Sequence, residues 1–217
     1  MNCDYEIFTD ASADVAHTVS ANSDIHFINM PCEADGNIYD CTGVDDDEKV
    51  NGFYRDIRKG SLPKTTQITP FRYEEFFDPV LASGKSVIYS CLSSGLSSSY
   101  ESAKLAMNNL NDRYAGVKVY AIDSIGATGA MSIIAERMLS NRDKGMTVEE
   151  NAADIESFKH NIYTSCYVED LHHLKRGGRI GAVKAALGSM LNLKPIIFIN
   201  PDGRIDSTTH CRGTRKA

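Results

Sequence analysis

Short apolar runs bounded by polar turns recur along the chain and are typical of buried strands. They lie at residues 7–8, 25–30, 87–89, 117–122, 165–168 and 196–199. Between them, apolar residues recur every three or four positions, as on one face of an amphipathic helix. These stripes fall at residues 50–57, 100–110, 131–139, 148–155 and 183–191. Before the fourth stripe, Thr147 and Glu150 have the spacing of a capping box.

The alternation of strand and helix predicts βαβ units and therefore a mainly parallel sheet covered by helices. The fold class is α/β. The alternation pauses near residues 160–164, before a Gly-rich and more basic segment. We therefore expect a weak domain boundary near residues 160–164.

Composition and charge exclude several classes of function for this protein. The formal net charge is −6, from 23 Lys and Arg against 29 Asp and Glu, which argues against a nucleic-acid partner. No apolar run approaches the roughly 20 residues that span a bilayer, and the first residues lack the pattern of a signal peptide. The six cysteines form no Cys-x-x-Cys pair, which fits reduced thiols in the cytoplasm. Of the six cysteines, only Cys91 lies in the serine-rich segment at residues 90–101.

Hydroxyl and carboxylate side chains follow three of the predicted strands, in residues 9–14, 90–101 and 123–126. The carboxyl ends of parallel strands share one edge of a sheet, and ligands of open α/β sheets bind there. In the second segment, Ser98 and Glu101 have capping-box spacing, so a helix is expected to begin there. Ser97 would then lie beside unpartnered N–H groups, a place that suits a carboxylate or a phosphate. The same serines also suit a simple helix cap.

The sequence disfavours several specific catalytic, nucleotide-binding and metal-binding sites. Residues 84–86 end like a P-loop but precede a predicted strand, and residues 95–99 lack the second glycine of a hydrolase elbow. His172 and His173 are adjacent and would point apart on a helix, so no metal site is expected. Asp10 begins a loose phosphatase-like pattern, for which a helix N-cap with carboxylates in the first turn is the favoured interpretation. A stand-alone hydrolase or phosphotransferase using Asp10 or residues 93–99 stays open as an alternative.

Four segments, in order, resemble the sequence motifs of the DegV family. Residues 8–14 are similar to its opening Thr-Asp-Ser-x-x-Asp motif, and residues 65–70 to its Thr-Ser-Gln-Pro-Ser-Pro loop. Residues 92–103 resemble its Ser-Ser-x-Leu-Ser-Gly-Thr-Tyr-x-Ser-Ala motif. Residues 174–180 and 191–196 resemble its Gly-Gly-Arg-Ile and Leu-Leu-Asn-Ile-Lys-Pro pair. The joint order and spacing of these motifs extend over nearly the whole chain.

The resemblance implies a DegV-like two-domain fold, with a Rossmann-like three-layer α/β/α domain over residues 1–160 and a second α/β domain that begins in residues 161–217. It implies that the protein binds one long-chain fatty acid between these domains, with no cofactor or metal. It implies that Thr65, Ser97 and Ser98 bind the carboxylate. The residues implied to support them are Thr66, Ser93, Ser94, Asp10 and Arg179. It further implies that the chain is not itself an enzyme but presents the fatty acid to a separate ATP-binding kinase subunit in the cytoplasm.

The chain departs from the family pattern at a few positions. Thr66 and Ile68 stand where the family has Ser and Pro, and Ser98 and Ser99 where it has Gly and Thr. Family members usually continue past a segment like residues 211–217, and that continuation carries a histidine near the carboxylate. We therefore expect the second domain and part of the ligand tunnel to be incomplete in this chain. A regulatory module that contacts its partner through the basic residues at 175–179 is a third interpretation.

Overall fold

Strands and helices alternate through most of the chain. The computed structural model describes residues 5–15, 24–42, 47–168, 171–180 and 193–212. The strands are β1 (Tyr5–Asp10), β2 (Ile25–Ile28), β3 (Met30–Ala34), β4 (Asn37–Cys41), β5 (Lys64–Thr65), β6 (Ser86–Cys91), β7 (Val119–Asp123), β8 (Ser165–Tyr167), β9 (Leu193–Ile199) and β10 (Ile205–Arg212). The helices are α1 (Asp47–Arg58), α2 (Pro70–Ala82), α3 (Ser99–Arg113), α4 (Gly129–Asp143), α5 (Val148–Phe158) and α6 (Leu171–Arg176), with a 3-10 turn at Lys159–Asn161.

A four-stranded parallel sheet in the order β2-β1-β6-β7 forms the centre of the fold. Ile7 of β1 pairs with Ile25 on one side and Ile88 on the other. Every residue of β6 is buried, as expected for a central strand covered on both faces. The prediction of a mainly parallel α/β sheet is therefore confirmed.

Each face of this sheet packs against its own pair of helices. One core, around Phe8, Phe77 and Tyr89, lies under α2 and α3. The other, around Ile7 and Ile134, lies under α4 and α5. The result is three layers, with the loops after β1, β6 and β7 at one edge. The predicted capping box of α5 is also present, since Thr147 and Glu150 exchange backbone and side-chain hydrogen bonds.

The prediction of one strand over residues 25–30 is wrong. The chain leaves the parallel sheet at Asn29, and β3 instead forms an antiparallel sheet in the order β4-β3-β5. The change occurs beside Pro31, which has no N–H to donate to a continuing ladder. Asp35 and Gly36 close the β3–β4 hairpin with φ of 53° and 78°, the backbone twist that two-residue hairpin turns need.

A second antiparallel sheet, in the order β10-β9-β8, follows the 3-10 turn. Its small core contains Ile180 and Ile197. We propose that this sheet belongs to a second domain that begins near residue 161. The helix predicted at residues 183–191 and the segment 213–217 lie outside the described residues.

Candidate functional site

The serine-rich loop between β6 and α3 is folded tightly on itself. The backbone N–H groups of Leu96 and Ser97 both donate to the carbonyl of Ser93, at 3.0 and 3.1 Å. The N–H of Ser93 donates in turn to Gly126 O at 3.0 Å, in the loop after β7. The loop is thus held at the carboxyl edge of the parallel sheet, where the sequence places it.

The start of α3 differs from the predicted capping box. Ser98 precedes the first helical residue, but its side chain makes no capping hydrogen bond and is exposed. Its backbone, with ψ of 6°, lacks the extended conformation of a regular cap. Ser97 Oγ instead accepts the N–H of Ser99 at 3.2 Å and lies 2.9 Å from Ser99 Oγ. The hydroxyl that closes the turn therefore belongs to Ser97.

A threonine-rich loop lies opposite this turn. Thr65 is in β5, paired with Cys32 of β3, and the N–H of Thr66 donates to Pro31 O at 3.2 Å. Two residues later, the N–H of Ile68 donates to Ser99 Oγ at 3.2 Å. The threonine loop is thereby joined to the start of α3, although the two segments are more than thirty positions apart.

The two loops enclose a cavity of about 160 Å³. Its polar lining comes from Thr65, Thr66, Ser97 and Arg179. Its apolar lining comes from Met30, Leu92, Leu96 and Ile205, none of which the sequence singles out. The structure therefore brings together four of the eight predicted site residues, from three separate segments of the chain.

Arg179 reaches this cavity from the second half of the chain. Its Nε donates to Leu96 O at 3.2 Å, and its Nη1 donates to Gly177 O at 2.6 Å. A guanidinium has five N–H donors and keeps its positive charge at any physiological pH. Arg179 can therefore hold these carbonyls and still attract an anion in the cavity.

The other predicted site residues do not line the cavity. Ser93 is fully buried and donates to Gly203 O at 2.8 Å. Ser94 is exposed, and its N–H donates to Asp123 Oδ1 at 3.1 Å. Ser98 is exposed at the start of α3. In the described residues these three serines shape the loop from the outside of the cavity.

Asp10 is a buried residue whose carboxylate joins the loop after β1 to the loop after β6. One carboxylate oxygen accepts the N–H of Ser12 at 2.9 Å and also its hydroxyl. The other accepts Tyr89 OH at 2.8 Å and the N–H of Leu92 at 3.0 Å. Asp10 is 0% exposed. A carboxylate with four donors and no access to solvent is suited to fixing the loop after β6, and it is poorly placed to attack a substrate.

Cys91 is not an activated nucleophile. Burial, together with the negative charge of Asp10, raises the pKa of its thiol well above the usual value. The same two causes raise the pKa of the Tyr89 hydroxyl. Both groups stay protonated at neutral pH, so the reactive thiolate is absent.

Two further observations concern metal ions and membranes. In the described part of the chain, no group of three or more His, Cys, Asp or Glu side chains is arranged to hold a metal ion. Over the same ranges, no helix is long and apolar enough to cross a membrane.

A larger cavity of about 370 Å³ lies between the β3–β4 hairpin and α1. Its lining includes Tyr39, Phe53 and Tyr54, and none of the predicted site residues lines it.

These features define an α/β protein in which a serine-rich loop of the parallel sheet, a threonine-rich loop of an antiparallel sheet and an arginine line a small cavity. The sequence profile of the DegV family, described as uncharacterised proteins, matches residues 4–217. The chain belongs to the DegV family, which confirms the resemblance seen in its motifs.

Relatives of known sequence and structure agree with this assignment. A DegV domain-containing protein of Clostridium perfringens is 29% identical over 213 residues, which cover 98% of this chain and 73% of that protein. A DegV family structure from Ruminococcus gnavus, refined with vaccenic acid, has a TM-score of 0.84 at 25% identity and covers 99% of this chain and 74% of its own. The structure of DegV from Bacillus subtilis, described as a fatty acid-binding protein, has a TM-score of 0.82 at 25% identity, with coverages of 99% and 74%.

Proposed function

We propose that this protein binds one long-chain fatty acid, with its carboxylate in the cavity between the two hydroxyl-rich loops. The observation that carries the proposal is the joint lining of that cavity by Thr65, Ser97 and Arg179. The vaccenic acid named for the Ruminococcus gnavus structure and the description of the Bacillus subtilis protein as fatty acid-binding support the same ligand class.

The chemistry of the lining suits a carboxylate. A carboxylate accepts hydrogen bonds through both oxygens, and threonine and serine hydroxyls donate to it. The start of α3 at Ser99, two residues after Ser97, adds the positive end of a helix dipole. Arg179 supplies a full positive charge, which offsets the cost of removing an anion from water. Neutral donors hold the carboxylate in place, and the arginine neutralises it.

The apolar lining suits the first carbons of an acyl chain. A volume of 160 Å³ corresponds to about five water-sized groups, enough for a carboxylate and the methylenes next to it. Burying each methylene contributes about 0.8 kcal/mol, so a chain of roughly 14 methylenes contributes on the order of 11 kcal/mol when enclosed. The remaining carbons extend beyond this cavity, and their burial supplies most of the affinity.

Solvent extraction of the purified protein followed by mass spectrometry tests the proposal. We expect one fatty acid per chain, or stoichiometric uptake of added palmitate or oleate by the delipidated protein. An unrelated protein purified in the same way serves as the control for carried-over lipid. Absence of both native and added fatty acid would refute the proposal.

We further propose that the bound carboxylate is presented to a separate ATP-binding kinase subunit in the cytoplasm, where ATP is available. The carboxylate oxygen attacks the γ-phosphorus of ATP, the bond to ADP breaks, and an acyl phosphate forms. Lys175 and Arg176 support this proposal, because they are exposed and lie only four and three positions before Arg179, which lines the cavity. They form a basic surface that suits an acidic partner face.

Trapping of the acyl phosphate with hydroxylamine tests this partnership. The product should require ATP, fatty acid, the chain and the kinase subunit together. Replacing Lys175 and Arg176 by glutamate should lower the yield and leave fatty acid binding intact. Product from the chain alone would instead favour the enzyme alternative, which the buried, fully bonded Asp10 speaks against.

A further inference from the structure

The turn between β9 and β10 rests directly on the serine-rich loop. Ser93 Oγ donates to Gly203 O at 2.8 Å and accepts the N–H of Gly95 at 3.2 Å. The Ser93 side chain is fully buried by this arrangement. Its hydroxyl is therefore committed to joining two segments of the chain that belong to different sheets.

Gly95 and Gly203 approach each other more closely than side chains allow. A Cβ atom at Gly95 would lie 2.4 Å from Gly203 O, and a Cβ at Gly203 would lie 2.1 Å from Ser93 Oγ. The clash at Gly95 is with backbone, so rotation of a side chain cannot relieve it. Gly203 also has φ of +73°, a conformation that favours glycine. The contact therefore depends on glycine at both positions.

The docked turn is itself rigid. Asn200 Oδ1 accepts the N–H groups of Asp202 and Arg204, at 3.1 and 3.0 Å. The N–H of Gly203 donates to Asn200 O at 2.8 Å, and Asn200 N–H donates to Arg204 O at 2.9 Å. Ile205, which follows directly, lines the head-group cavity. Movement of the turn would therefore carry Ile205 with it.

A second attachment lies on the same loop. Arg179 Nε donates to the carbonyl of Leu96 at 3.2 Å. Arg179 and Ile205 are the cavity-lining residues that come from the chain after α5, within the described ranges. Arg179 is thus held directly by a hydrogen bond to Leu96, and Ile205 is held indirectly through the hydrogen bond between Ser93 and Gly203. The serine-rich loop both contributes Ser97 to the cavity and fastens the opposite wall.

We propose that Ser93 and Gly95 are positioning residues of the ligand site, which clamp the β9–β10 turn and Ile205 over the cavity without touching the ligand. The ligand's identity as a fatty acid rests on the function proposed above, whereas the clamp itself is a property of the free protein. Loosening it opens one wall, so a bound ligand leaves faster while the carboxylate contacts of Thr65 and Ser97 are retained.

Hydrogen exchange of the delipidated protein, read by mass spectrometry, tests the clamp without any ligand. In Gly95→Ala, peptides spanning residues 196–207 should exchange about tenfold faster than in the wild type, because local opening becomes easier. Gly129→Ala is the matched control, since a Cβ there meets nothing within 4 Å, and its exchange at residues 196–207 should be unchanged. Unchanged exchange in Gly95→Ala would overturn the proposal.

Ser93→Ala provides a milder test that does not introduce a clash. The variant loses both hydrogen bonds of the Ser93 hydroxyl, and loss of the one to Gly203 O should speed exchange at residues 196–207 roughly fivefold. It should speed dissociation of the fluorescent fatty acid cis-parinaric acid to a similar degree, and Gly129→Ala, the same control, should leave dissociation unchanged. Weakened binding with unchanged exchange would make Ser93 a direct ligand contact and overturn the clamp. If the wild type binds no lipid, the proposed function fails, and the exchange result still decides the clamp.

Discussion

The hydroxyl of Ser99 accepts a hydrogen bond from the backbone N–H of Ile68 at 3.2 Å. Both residues are buried, at 0% and 1% exposure. The same oxygen lies 2.9 Å from the hydroxyl of Ser97. One buried hydroxyl therefore fixes the distance between the threonine-rich loop and the serine-rich loop, and with it the width of the cavity.

Replacing Ser99 by alanine should weaken ligand binding although Ser99 does not line the cavity. The N–H of Ile68 would lose its partner while buried, at a cost of about 1–3 kcal/mol in the free energy of unfolding. Urea denaturation measures that loss, and titration with palmitate measures the affinity. Ser99→Thr keeps the hydroxyl and should retain both properties. Wild-type affinity in Ser99→Ala would show that the two loops do not depend on this bond.

Thr65→Ala and Ser97→Ala should each raise the dissociation constant for palmitate about tenfold or more. A hydrogen bond to a charged group contributes about 1.5–3 kcal/mol, and each substitution removes one. The exposed Ser98 is the matched control, and Ser98→Ala should bind palmitate like the wild type. The affinities of the variants for hexadecanol, which lacks the carboxylate, should differ less from that of the wild type than their affinities for palmitate do. Unchanged palmitate affinity in both variants would remove these residues from the site.

Asp10→Asn should destabilise the fold. Whichever way the new amide is oriented, its NH₂ group faces two donors, either those of Ser12 or those of Tyr89 and Leu92. Leaving buried donors unpaired costs about 2–3 kcal/mol, which the urea midpoint will show. The exposed Asp14 offers a control, because Asp14→Asn should leave the midpoint nearly unchanged. A variant as stable as the wild type would contradict the structural role of Asp10.

The ion pair between Arg137 and Asp154 should make stability depend on pH. Arg137 Nε and Nη2 each donate to Asp154 at 2.9 Å, and these bonds hold the pKa of the Asp154 carboxyl below its usual value. A lowered pKa in the folded state stabilises the protein above the unfolded pKa, and the effect fades as the pH falls through the folded pKa.

The measurement is the difference in unfolding free energy between wild type and Asp154→Asn. It should be about 1 kcal/mol at pH 7, because the pair is partly exposed, and it should shrink below pH 4. Asp56→Asn, at the more exposed pair with Lys59, should show a smaller difference. A difference that stays constant down to pH 2 would rule out the ion pair as its cause.

The central sheet is predictable because its strands are buried on both faces. Continuous apolar runs such as residues 87–89 arise only where helices cover each side. The β3–β4 hairpin was not predicted, although Asp35-Gly36 is a strong two-residue turn signal, because β4 is mostly polar or exposed and shows no apolar run. Helix α2 was not predicted either, and it contains two prolines, of which Pro70 begins the helix and Pro79 lies within it.

The polar side of the cavity follows from residue types and family motifs, but its apolar side does not. Met30, Leu92 and Ile205 come together only in the folded chain. The local spacing of apolar residues in the sequence does not predict that they line the same cavity. Ser93 illustrates a second limit. A serine in a loop near a ligand site looks the same in sequence whether its hydroxyl faces the ligand or, as here, a backbone carbonyl.

The clamp on the serine-rich loop also sets an order of events during synthesis. The Ser93–Gly203 hydrogen bond joins residues 110 positions apart, and the Arg179–Leu96 bond joins residues 83 apart. At translation rates of about 5–20 residues per second, the second partner of the longer pair emerges roughly 5–20 seconds after the first. A nascent chain therefore completes the four strands of its parallel sheet well before the cavity gains the wall that contains Ile205.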